Sequence, residues 1–232
     1  MPSFQSLSPN VEPPRSEAEL LQRALSLAGR SFAEIAQQHQ TGIPQHLRKQ
    51  KGWGGMLMEL CLGASAGSKP EQDFPHLGVE LKTIPISTKG RALESTYVAI
   101  TPLLELKGID WQHSNVRLKL AKVLWVPIIA ERGIPVAERV ISTPFLWSPS
   151  PAQEAMLQKD WEDHMELISL GKIDTITAHQ GEILQIRPKA ANSKVRTQAT
   201  GPNGQIIATL PRGFYLRSRF TSGLLADHFG LN

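Results

Sequence analysis

Apolar residues return at helical spacing soon after the N-terminus. Leu20, Leu21, Ala24, Leu25 and Ala28 follow Ser16 and Glu19, a capping-box pair, and Gly29 stands where a helix would end. Ser31 and Glu34 repeat the box ahead of a shorter helix that closes before Gly42-Ile43-Pro44. A third helix is predicted over 53–62, with Met56, Leu57 and Leu60 on its apolar side. Past a Gly/Ser/Pro-rich loop over 63–76 the period shortens to about two. Val79-Glu80-Leu81-Lys82-Thr83-Ile84 alternates as a strand, and Tyr97-Val98-Ala99-Ile100 reads as its partner. A short basic helix near 114–120 leads into an apolar strand at 123–129, and 139–147 reads as another strand. Ser150, Pro151 and Gln153 open a long acidic helix that ends at Gly171. Then come a strand near 182–187, a basic loop, a Pro202-Asn203-Gly204 turn, a strand near 213–217 and a last helix near 222–229. Helices and strands interleave without internal repeats or long linkers, so the expected class is α/β (α+β).

Composition narrows this picture. A chain of 232 residues with 41% hydrophobic content can fill one core, or two small lobes. Residues 1–15, rich in Pro, Ser and polar groups, are expected to form a disordered tail ahead of a single domain over 16–232 with room for two lobes. No apolar run is long enough for a membrane span, and the N-terminus lacks the pattern of a signal peptide. A lone cysteine, Cys61, excludes an internal disulfide and points to a reducing, cytoplasmic setting. No HxxxH or CxxC pair is present, so a structural zinc site is not expected.

Net charge is +4, and its distribution says more than its size. Residues 171–232 carry eight basic and three acidic side chains, whereas 151–170 carry one basic and five acidic. Clustered cations commonly serve phosphate backbones; a solvated surface is the equally good alternative.

Two motifs compete for the chemistry. Gly63-Ala64-Ser65-Ala66-Gly67 is a literal G-x-S-x-G. A nucleophile elbow must follow a strand and open a helix, whereas this segment follows a predicted helix and runs into Pro70. The esterase reading is therefore the weakest. Asp73, Glu80 and Lys82 form D-x6-E-x-K. Strand alternation puts Glu80 and Lys82 on one face, and a turn could fold Asp73 back beside Glu80. Two carboxylates, with the Leu81 carbonyl as a further ligand, make a hard-oxygen site for Mg²⁺. A lysine beside it can orient or deprotonate water attacking a phosphodiester. On spacing alone an exposed strand face with an ion pair is the commoner explanation. The apolar setting, GVELKTIPI, favours a half-buried strand instead. Glu59, on the helix before, could supply a third carboxylate or simply face solvent.

The segment KGWGGMLMELCLGASAGSKPEQDFPHLGVELKTIPI closely resembles the MutH family of DNA mismatch-repair endonucleases. The resemblance continues through SNVRLKLAKVLWVPI, LQIRPKAAN and LPRGFYLRSRFTS, from about residue 16 onward. It implies a restriction-endonuclease-like core, a mixed sheet flanked by helices with two lobes around a DNA cleft. It also implies Mg²⁺ as cofactor (with Mn²⁺ as a substitute), and nicking of the unmethylated strand at hemimethylated GATC. The implied partners are double-stranded DNA containing GATC, MutL as activator and MutS indirectly, with no membrane and a monomeric enzyme. Residue by residue, Asp73, Glu80 and Lys82 match the catalytic motif, Glu59 the additional helix carboxylate, and Lys119 a lysine near the active site. Lys51-Gly52, Arg187-Pro188-Lys189 and Tyr215 match the DNA-reading elements, and Tyr97 an aromatic position among them that is often Phe in the family. Residues 193–208 match poorly.

The readers make chemical sense. Arg187 suits a bidentate contact with guanine, Pro188 is a rigid apolar group for a base methyl, and Tyr215 joins a ring to a polar tip. Apart from the resemblance, a surface cation and a core aromatic are the commoner readings of Arg187 and Tyr215. Three alternatives to a nicking enzyme remain: a type II restriction-like endonuclease cutting both strands, a catalytically idle DNA-binding module, and the esterase.

Overall fold

A computed structural model describes residues 11–45, 52–67, 69–190 and 192–231. Within them the chain divides into two compact units, one built from residues up to Leu93 together with Ala121–Ser148, the other from Glu94–Leu120 and Pro149 onward.

The first unit opens with α1 (Glu17–Leu25), α2 (Phe32–Gln38) and α3 (Trp53–Leu62). Ser16 accepts the Glu19 amide, but the Glu19 carboxylate reaches back to the Arg15 amide at 2.8 Å. Around α2 the capping box is complete between Ser31 and Glu34. Gly29 does not cap α1; Ser26 does, four residues after Gln22, whose carbonyl takes the Ser26 amide. Residues 11–15, expected in the tail, carry ordered contacts. The Glu12 carbonyl accepts from Arg23 at 2.6 Å, and the Pro14 carbonyl lies 2.6 Å from His76 Nε2. Gly63 ends α3 at φ +75°, and a Cβ there would sit 2.6 Å from the Glu12 carbonyl oxygen. Only glycine meets both demands.

The sheet of this unit is mixed. β1 (Glu80–Ile86) runs parallel to β3 (Val123–Ile129), in register Glu80 with Val123 and Lys82 with Trp125. The predicted strand over 139–147 is two short ones, β4 (Val140–Ile141) and β5 (Phe145–Trp147), both antiparallel to β3. Pro144 lies between them and lacks the amide a continuous ladder would need. Val79 and Leu81 on one face of β1 join Leu57, Met58 and Leu62 of α3 and Leu20 and Ala24 of α1 in one core.

The second unit holds β2 (Thr96–Ile100), α4 (Asn115–Leu120), α5 (Pro151–Ser169), β6 (Leu184–Pro188), β7 (Thr197–Thr200), β8 (Ile206–Thr209), β9 (Arg212–Leu216) and α6 (Ser218–Phe229). β2 does not pair with β1 as expected. Both β2 and β6 flank β9 in an antiparallel sheet, β2–β9–β6. The poorly matching stretch 193–208 contains a β7–β8 hairpin, unforeseen because its residues are mostly polar and weakly alternating. Its turn falls at Pro202-Asn203-Gly204, as expected. No helix among the described residues is long and apolar enough to cross a membrane.

Candidate functional site

In the first unit, a tight return brings Asp73 to β1. Phe74 and Val79 exchange backbone hydrogen bonds at 2.9 and 3.3 Å, so Asp73 falls beside the start of the strand. Its carbonyl accepts the Ser65 amide at 3.1 Å and the Ala66 amide at 3.4 Å. Its carboxylate accepts the Leu81 amide at 2.7 Å. The loop that carries the G-x-S-x-G letters thus follows a helix and clasps the Asp73 backbone, which removes the setting of a nucleophile elbow.

Glu80 and Lys82 lie on the face of β1 opposite Val79 and Leu81. The Lys82 ammonium donates to the Glu80 carboxylate at 2.8 Å, with only 8% and 5% of the two side chains exposed. Desolvating two charges is expensive, and an apolar pair of similar volume stabilises at least as well. A buried Glu/Lys pair beside a pinned aspartate therefore reads as chemistry, not as scaffolding.

The donor set suits a hard divalent cation. Asp73 and Glu80 supply carboxylate oxygens at either side of Leu81, whose carbonyl is a third oxygen donor. Among the described residues no three His, Cys, Asp or Glu side chains gather as a metal-holding group. Glu59 is half-buried on α3, which packs on β1. Magnesium ordinarily takes one or two carboxylates and fills its shell from phosphate and water, so two suffice. Lys119 is half-buried on α4 of the second unit. Gly52 caps α3 and is exposed; Lys51 lies outside the described residues.

In the second unit, the pleat of β2–β9–β6 sorts side chains by face. Leu184, Ile186, Phe214 and Leu216 are buried on one side. Gln185 and Arg187 of β6, Gly213 and Tyr215 of β9, and Tyr97 of β2 share the other, through the registers Gln185–Tyr215, Arg187–Gly213 and Tyr97–Tyr215. Tyr97 and Tyr215 meet edge-to-face at 5.4 Å, and the Lys189 ammonium lies 4.0 Å from the Tyr97 ring centre. A Cβ on Gly213 would come within 2.9 Å of the Tyr97 ring, so the missing side chain is what lets that ring lie down on β9. Burial pushes the Tyr215 phenol above its ordinary pKa; the Arg187 charge pulls the other way. Pro188, exposed and opposite Arg212, alternates to the other side of the strand. Tyr97, Arg187, Lys189 and Tyr215 are thus brought together, Pro188 adjoins them, and Arg187 and Lys189 are open to solvent.

Residues that sequence reasoning missed hold this face in place. Asp160, only 4% exposed within an acidic helix, accepts the amides of Glu182, Ile183 and Leu184 at 2.7–2.9 Å. Arg217 donates to the carbonyls of Gln180 and Gly181, and Arg219 to that of Glu182. The turn that launches β6 is therefore clamped through both its amides and its carbonyls. A buried acid one turn ahead of His164 on the inward side of α5 was the available signal.

Residues 62–160 match the family described as DNA mismatch repair enzyme MutH. The DNA mismatch repair protein MutH of Serratia proteamaculans is 56% identical over 223 residues, 96% of this chain and 98% of its own length. That of Yersinia enterocolitica is 55% identical over 227 residues, 98% and 99% of the two chains. That of Vibrio cholerae is 56% identical over 216 residues, 93% and 98%. With a mixed sheet flanked by helices, a buried acid–lysine pair at its edge and likeness over nearly its whole length, the chain belongs to the MutH family of DNA mismatch-repair endonucleases, with their restriction-endonuclease-like fold.

Proposed function

We propose that this enzyme nicks the unmethylated strand of hemimethylated GATC sites in a Mg²⁺-dependent reaction, with Mn²⁺ as a substitute metal. The observation that carries the catalytic half is the buried Lys82–Glu80 pair beside Asp73. Asp73, Glu80 and the Leu81 carbonyl would hold the metal, which when bound supplies charge stabilisation at the scissile phosphate. Lys82, held at 2.8 Å by Glu80, orients the attacking water as the ammonium or, as the neutral amine, takes its proton. Glu59 would add its carboxylate to the same centre from α3, and Lys119, matching a lysine of the family's pattern, is a further candidate for catalysis. Only one D-x6-E-x-K set exists in the chain, so a monomer cuts one strand.

The reading half rests on the open face of β2–β9–β6. On that face Arg187 takes a guanine edge and Tyr215 with Tyr97 senses the adenine N6 position; Pro188, exposed on the other side of β6, meets a base methyl from the strand's end, and Lys189, Lys51 and Gly52 meet the backbone. Tyr215→Phe deletes only a hydroxyl and is expected to shift the ratio of unmethylated to hemimethylated cleavage. Activation by MutL with ATP, MutS acting upstream, and a cytoplasmic location complete the proposal.

The test is incubation with Mg²⁺ and duplexes carrying unmethylated, hemimethylated or fully methylated GATC, with products resolved by strand. A nick confined to unmethylated strands, absent on the fully methylated duplex, supports the reading. Concerted cutting of both strands by the unmodified enzyme would instead establish the type II activity.

A further inference from the structure

Arg187 is a long, exposed side chain, and an unrestrained guanidinium samples many directions before it meets a base. Here it has a neighbour that aims it. Ser95 stands just ahead of β2, two residues from Tyr97 and so on the same face. Its hydroxyl oxygen accepts from the side-chain amide of Gln185 at 2.8 Å and from Arg187 Nη1 at 3.3 Å. Gln185 and Arg187 are alternate residues of β6, so both donors descend from one edge onto a single oxygen. Gln185 is 4% exposed, and no such polar side chain rests in an interior without a partner. The buried amide therefore fixes the hydroxyl, and the hydroxyl fixes the guanidinium.

We propose that Ser95 is a positioning residue for sequence reading, holding one N–H of Arg187 so that the guanidinium fork faces the DNA already oriented. This rests on Arg187 being a base reader. A hydroxyl oxygen has two acceptor lone pairs, which Gln185 and Arg187 use. A guanidinium has five N–H donors, so one given to Ser95 leaves enough for a two-toothed contact with a guanine edge. Fixing the donor before binding removes ordering that the complex would otherwise require. Ser95 itself touches no base in this account; it acts through Arg187.

The test compares affinities of the full-length protein for a GATC duplex and a scrambled duplex, without metal and at one salt concentration, for wild type, Ser95→Ala, Ser95→Thr, Arg187→Ala and the Ser95→Ala/Arg187→Ala double variant. Ser95→Ala is expected to lower the GATC preference about three- to tenfold with scrambled-duplex affinity unchanged, the range of one lost hydrogen bond. Ser95→Thr retains the hydroxyl and restores the preference. The double variant is no worse than Arg187→Ala, because Ser95 has nothing left to aim. A wild-type preference in Ser95→Ala, alongside a lost preference in Arg187→Ala, overturns the role of Ser95 and leaves Arg187 as the reader. Equal losses on both duplexes for Arg187→Ala remove the base-reading assignment, and the role of Ser95 with it.

Discussion

Both units place a stripe of polar side chains along one face of a small sheet, and they treat it in opposite ways. On β1 the Glu80 and Lys82 side chains are almost wholly hidden and bonded to each other. On β6 and just past its end, Arg187 and Lys189 stand in solvent, and the aromatic rings beside them are half-open. Water-excluded charge interacts strongly and needs little reorganisation during a reaction, which suits bond cleavage. Exposed cations and rings stay available to a macromolecule, which suits recognition. The difference teaches that one motif is read through its partners, the other through its openness.

The widest separation comes from Lys82. Lys82→Ala is expected to lower single-turnover nicking by about 10²–10⁴, the contribution of a positioned proton-transfer group, with GATC preference in binding unchanged. The stability cost distinguishes a costly pair from a useful scaffold. Lys82→Ala deprives the buried Glu80 carboxylate of the Lys82 ammonium and is expected to cost about 3–5 kcal/mol in denaturant unfolding. Replacing both by apolar residues of similar volume, as Glu80→Met with Lys82→Met, should recover most of that loss while remaining inactive. A double variant as unstable as the single one would mean that the pair itself holds the fold.

Next in size is the clamp behind the reading face. Asp160→Ala strands three backbone amides and is expected to cost about 3 kcal/mol or more in stability. Hydrogen exchange should quicken first at Ile183 and Leu184 if the damage is local.

Arg187→Ala should lose about 1–3 kcal/mol of binding at GATC and much less on a scrambled duplex. Both affinities must be taken at one salt concentration, since the phosphate contribution is salt-dependent.

The smallest effect concerns His164, buried on α5 with Nε2 donating to the Leu184 carbonyl at 3.3 Å. Burial holds its pKa below the ordinary value, against the opposing pull of the Leu184 carbonyl and Asp160. A histidine with a depressed folded pKa binds fewer protons folded than unfolded. Its contribution is therefore present above the unfolded value of about 6.5 and is lost as pH falls below it. Unfolding free energies measured from neutral to mildly acidic pH should fall with a slope that is shallower in His164→Gln.

Much of the first unit was legible because its signals are local. The capping box of Ser31 and Glu34 and the limits of α3 at 53–62 fall as expected, and alternation in GVELKTIPI assigned Glu80 and Lys82 to one face. The return that seats Asp73 was anticipated as a turn, though the clasp by Ser65 and Ala66 was not, since backbone donors leave no trace in residue type. Pairing was the main failure: β2 joined β9, more than a hundred residues away, because strand partners depend on packing across the fold. Ser95 and Gln185 were overlooked for a related reason. Each is an ordinary polar residue alone, and their meeting with Arg187 exists only once β2, β9 and β6 are in register.

The central claim is that cutting belongs to the buried edge of β1. Single-turnover nicking of a hemimethylated GATC duplex by Glu80→Gln, at enzyme concentrations that saturate binding, tests it most directly. The account predicts a complex formed with wild-type GATC preference and no strand-specific product in Mg²⁺. A nick on the unmethylated strand at the wild-type rate would contradict it.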